Sequence, residues 1–169
     1  VPLDENGVIV SFAELVGKRS LAGYQLRYIS QDATFDFAFS YRVDDADLDK
    51  GPVSVSRGYI DSLDYALDDK TRLLKGRRGV DYHIGEFKIS AEDIVGSEKQ
   101  PLSDLDLLVV WDFNQDAIER LGGSIRDVNV DKRKFDGVTH VLGDVGGDCQ
   151  VVCLKALIEK LGLTCAGAT

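Results

Sequence analysis

The sequence predicts an α/β fold, a mixed sheet flanked by helices, and three stretches carry that reading. Residues 4–17 place Val8, Ile9, Phe12, Leu15 and Val16 on one side of a 3.6-residue wheel, the pattern of an amphipathic helix. Ala33 to Arg42, ATFDFAFSYR, alternates Phe35, Phe37, Phe39 and Tyr41 with Asp36, Ala38 and Ser40, the two-residue period of a strand. Leu105 to Phe113, LDLLVVWDF, is a near-continuous apolar run of strand length, which suits a buried strand paired in parallel.

Along the chain, Asp4 is placed to cap the first helix and Gly17-Lys18-Arg19 to end it. Glu5 falls on the apolar side of that helix, whereas Glu14 points the other way. A carboxylate in the first turn, on the inward face, either favours the positive end of the helix dipole or reaches a site at the sheet. Gly23 to Ile29 reads as a strand. In the next strand Asp36 stands alone among small residues, and a strand so aromatic disfavours it, so it marks either a polar outer face or a function. Residues 43–80 read as an insertion between core strands: a surface turn, a strand at VSVSRGYI and a short helix at DSLDYALDDKTRLL.

Tyr82 to Ser90, YHIGEFKIS, is the central strand. Glu86 and Lys88 project from the same face because strand side chains repeat every two residues. A carboxylate and an ammonium on an otherwise apolar strand are costly to desolvate, so they are solvated, paired structurally or present for chemistry. Ser90-Ala91-Glu92-Asp93 resembles a capping box opening a short helix that Gly96 and Pro101 break. Asn114 to Leu121 reads as a helix, and Ser124 to Val130 and Val138 to Leu142 as strands. Gly143 to Asp148 forms a turn into a final helix over Gln150 to Leu161. That Gly-rich turn lacks the spacing of a Walker or dinucleotide loop.

With 169 residues, 44% hydrophobic and 29% charged, the chain suits a single globular domain with a continuous core. No run approaches the about 20 apolar residues of a membrane span, and no leader resembles a signal peptide, so a soluble cytoplasmic protein without membrane partners is expected. A first residue Val and the absence of Met suggest a module of a longer protein. Cys149, Cys153 and Cys165 read as reduced thiols. The first two would share a helix face, yet no second Cys or His pair at zinc spacing completes a site, and His140 alone is weak support, so core packing is expected. The net charge of −9 opposes nucleic-acid binding unless a local basic patch supplies phosphate contacts. Lys70, Arg72, Lys75, Arg77 and Arg78 form such a patch, or else an ordinary solvated loop.

A helix with an inward Glu, a strand, a strand with a solitary Asp, a strand with Glu-x-Lys, a helix and a buried strand follow one another from Asp4 to Phe113. That order resembles the core of the PD-(D/E)XK nuclease superfamily, the restriction-endonuclease-like αβββαβ fold, with the C-terminal third as an extension. The resemblance implies Asp36 as the motif aspartate, Glu86 and Lys88 as the (D/E)XK pair and Glu5 as the helix glutamate that some members use. It implies Mg²⁺, with Mn²⁺ as a substitute, held by Asp36 and Glu86, and hydrolysis of DNA phosphodiesters. A fold of this kind that has lost catalysis and binds nucleic acid or protein is the alternative, and an unrelated interaction domain with a structural Glu86–Lys88 pair is a third. FDGVTHVL and LDLLVVWD also look like segments of a nuclease-like domain attached to bacterial ATPases of the gyrase/heat-shock type, which would make other domains of a parent chain, an ATPase among them, its partners.

Overall fold

A computed structural model describes residues 1–18, 20–29, 35–41, 65–67, 74–76 and 83–163. Seven strands form one mixed sheet in the order β1 (Tyr24–Ile29), β2 (Phe37–Tyr41), β5 (His83–Ser90), β6 (Leu107–Asp112), β9 (Gly147–Cys153), β8 (His140–Asp144) and β7 (Ser124–Asp127). β6 lies between β5 and β9 and runs parallel to both, while the remaining pairs are antiparallel. β3 (Tyr65–Leu67) and β4 (Leu74–Gly76) pair separately, so at these positions the expected helix over residues 61–74 gives way to a two-stranded ladder.

The middle strand β6 is apolar on both faces over Leu107 to Val110 because both faces are covered. On one face α1 (Glu5–Gly17) and α3 (Leu154–Lys160) pack Val8, Phe12, Leu15, Leu154 and Leu157 against Phe37, Phe39, Phe87, Leu107, Val109 and Val152. On the other, α2 (Gln115–Arg120) and the 3₁₀ turns Ala91–Asp93 and Leu102–Asp104 bring Ile118, Ala91 and Leu102 over Ile84, Leu108, Val110 and Val151. Asp4 caps α1, its carboxylate accepting from Gly7 N at 2.9 Å.

Three further expectations change. The final helix begins at Leu154, and Gly147–Cys153 is instead an inner strand of the sheet. Val151 and Val152 face opposite clusters, both buried, so the segment is apolar throughout and its period does not separate strand from helix. Cys149 and Cys153 therefore share a strand face, as buried core residues. The aromatic strand begins at Phe37, with Asp36 just before it. Phe35 packs with Ile84 and Leu108 whereas Phe37 packs with Phe12, so the chain turns over at Asp36 instead of continuing the alternation. Finally, the segment opened by Ser90 makes only a 3₁₀ turn, closed by Asp93 accepting from Ser90 N at 3.3 Å.

Candidate functional site

The site forms where β2 stops and β5 continues. Their ladder covers Phe37↔Gly85, Ala38↔Ile84 and Phe39↔His83, and among the described residues no strand pairs with the second half of β5 on that side. Asp36 fills the gap. Its Oδ2 accepts from Phe87 N at 2.8 Å, and its own N–H donates to Glu86 Oε2 at 3.1 Å. Side-chain oxygens thus satisfy backbone donors that strand pairing no longer reaches.

Gly85 makes this junction possible. The Phe37 and Phe87 rings stack with centroids 4.3 Å apart, and a Cβ at Gly85 would lie 2.2 Å from the Phe37 ring. With the aromatic rings on one face, the strand period sends Glu86 and Lys88 to the other. Glu86 is buried, 5% exposed, and both its oxygens are engaged: Oε2 by Asp36 N and by Gln100 Nε2 at 2.8 Å, Oε1 by Lys88 Nζ at 2.9 Å. Lys88 Nζ also lies 3.1 Å from Glu5 Oε1 and 3.8 Å from Asp36 Oδ2. The structure therefore brings Glu5, Asp36, Glu86 and Lys88 together, from the first turn of α1, the approach to β2 and the middle of β5.

Three carboxylates surround one ammonium. Burial lifts the Asp36 pKa to about 6, helped by the charges of Glu86 and Glu5 and opposed by the Phe87 N–H and Lys88. Burial works against the charge of Lys88, but the hydrogen bond and charge of Glu86, with Asp36 and Glu5, outweigh it and raise its pKa. Lys88 is an ammonium at any physiological pH.

No family model, curated protein or solved structure matches this chain.

Other residues singled out by the sequence lie elsewhere. Lys70, Arg72, Arg77 and Arg78 fall outside the described residues, as does Cys165, and Lys75 is described only by its place on β4 opposite Ala66. His140 binds Asp127 (Nε2 to Oδ1, 3.2 Å) and Thr139 (Nδ1 to Oγ1, 2.8 Å) rather than the cysteines. Burial pushes the Cys149 thiol up to about 12, and that of Cys153 also upward. Both thiols are buried in the core. Among the described residues no group of three or more His, Cys, Asp or Glu is arranged to hold a metal ion. At Glu5, Asp36 and Glu86 the oxygens gather around the Lys88 ammonium. One contributor escaped the sequence reading: Gln100 bonds Glu86 from the connection between β5 and β6, and a lone Gln before Pro101 in SEKQP carries no periodic signal.

No helix among the described residues is long and apolar enough to cross a membrane.

Proposed function

We propose that this domain is a Mg²⁺-dependent phosphodiesterase acting on DNA, built on a restriction-endonuclease-like core. The observation that carries the reading is the meeting of Asp36, Glu86, Lys88 and Glu5, from three separate stretches of the sequence, around one point on β5. The chemistry of the donor set suits a hard divalent cation, although as placed the carboxylates close on the Lys88 ammonium. All three anionic groups are carboxylates, and no hydrogen bond to Asp36 Oδ1 occurs among the described residues. Asp36 and Glu86 would hold Mg²⁺, or Mn²⁺ in its place, with Glu5 beside them. When bound, the ion supplies a Lewis acid for a phosphoryl oxygen and lowers the pKa of coordinated water.

The chain's own groups do the rest. Gln100 and the Asp36 N–H fix the Glu86 carboxylate, and the Phe87 N–H fixes that of Asp36. Lys88, held protonated, stabilises negative charge on the phosphate in the transition state. Lys70, Arg72, Lys75, Arg77 and Arg78 would meet the phosphates of flanking DNA.

A second reading, a nuclease-like module without catalysis that binds nucleic acid or protein, draws on the ammonium being saturated by carboxylates and on the net charge of −9. Cleavage separates them. Wild-type protein is expected to cut DNA only with Mg²⁺ or Mn²⁺. Lys88→Ala should retain metal and cut about 10²–10³-fold more slowly, the scale for losing one electrostatic contact to a transition state. Asp36→Asn should lose metal affinity and activity together. Wild-type protein without metal-dependent cleavage, alongside a Lys88→Ala variant that only melts earlier, would leave a binding or structural module.

A further inference from the structure

Lys88 is packed as a bound cation would be. Its Nζ lies 2.9 Å from Glu86 Oε1, 3.1 Å from Glu5 Oε1 and 3.8 Å from Asp36 Oδ2, so the carboxylates converge on the ammonium itself. Resting on the reading of these carboxylates as a divalent-cation site, we infer that Lys88 is the resident cation of that site and that a divalent ion enters by displacing its ammonium from Glu86.

The reason is spatial. Glu86 Oε2 already accepts from Asp36 N and Gln100 Nε2, which leaves Oε1 as its oxygen for a cation, and Lys88 holds that oxygen. Mg²⁺ takes carboxylate oxygens at about 2.0–2.1 Å and demands near-octahedral order around itself. An ammonium within hydrogen-bond distance of the same oxygen, and of Glu5 as well, stands in that coordination sphere. The two cations therefore compete for one place. Lys88 has somewhere to go: its side chain is 19% exposed and that of Glu5 45%, so the cluster opens to solvent on the Glu5 side, while Glu86 is sealed beneath it. An ammonium turned outward by the incoming ion faces the side from which a phosphate can approach. Lys88 thereby neutralises the carboxylates while the site is empty and becomes available to an anion when the ion is in place.

The test is calorimetric titration of Mg²⁺, and separately Mn²⁺, into the wild-type chain and Lys88→Met without DNA. Methionine keeps an apolar stem and drops the charge. The variant is expected to bind more tightly by roughly 5–150-fold, the usual range of coupling between two ligands of one protein. In the wild type, acylation of Lys88 by an amine-reactive reagent, read by mass spectrometry, should accelerate once Mg²⁺ saturates. Binding by the variant alone also supports displacement, while removing the nuclease reading of the wild-type chain. Equal or weaker affinity in the variant overturns the inference and leaves the cation site standing, whereas no binding by either protein overturns both. Should Lys88→Met fail to fold, the wild-type acylation decides: an unchanged rate at saturating Mg²⁺ overturns displacement.

Discussion

Asp36 gives up most of its hydration beside Glu86 and Glu5, and one backbone N–H with an ammonium 3.8 Å away does not fully compensate. Its folded pKa of about 6 lies above the ordinary value of 3.8, so the folded state holds the proton more tightly than the unfolded one. The sign follows. Stability from this group is fully present below about pH 4 and is lost as pH rises through about 6, the reverse of a carboxylate in a good salt bridge. Asn accepts the Phe87 N–H equally well and cannot ionise. With chelator present, Asp36→Asn should melt above wild type at pH 8 and level with it at pH 4, measured by thermal denaturation. An offset independent of pH would mean that Asp36 is ordinary surface charge. The sequence made Asp36 conspicuous because it breaks an aromatic pattern, but not its role where the strand begins, which depends on a Phe87 N–H 51 residues away.

At the scale of elements, β5 decides the geometry through alternation. Reading Glu86 and Lys88 on one face needed only the strand period, and the α1 wheel likewise put Glu5 on the inward side. Gly85 was not legible as a requirement, since its lack of a side chain matters only once the Phe37 ring lies across it. Gly85→Ala should cost about 1–3 kcal/mol, the range for overpacking a filled core, and more of that loss should appear if Phe37 cannot turn aside. Urea denaturation measures it. A variant as stable as wild type would show that the stacked rings yield freely and that β5 does not depend on them. The boundary between β9 and α3 was illegible for a different reason: an apolar segment buried on both faces has no polar side from which to read a period.

For the molecule as a whole, the residues after Phe113 are not an appendage on a self-sufficient core. β9 pairs with β6 from Leu107↔Gln150 to Val110↔Cys153, so it occupies the middle of the sheet, with β8 and β7 beyond it. The same third reaches back across α1's face of the sheet. Phe135 packs its ring against Phe39 and Tyr41. Tyr24 Oη donates to Asp136 O at 2.6 Å, Asp136 N donates to Tyr41 Oη at 2.7 Å, and Asp136 Oδ2 accepts from Ala22 N at 2.8 Å. Removing residues 114–169 would bare the whole edge of β6 and uncover Leu108 and Val110, an open apolar edge of the kind that aggregates. It would also leave α1 without α3 beside it and β1 without its Asp136 tether. A chain of residues 1–113 is therefore expected to show no cooperative thermal transition and no divalent-cation binding, although it contains Glu5, Asp36, Glu86 and Lys88. Circular dichroism melting followed by Mg²⁺ titration checks this. A cooperative melt from that fragment would show that the carboxylate cluster rests on β1, β2, β5 and β6 alone, and that the last three strands only enlarge a sheet already able to stand.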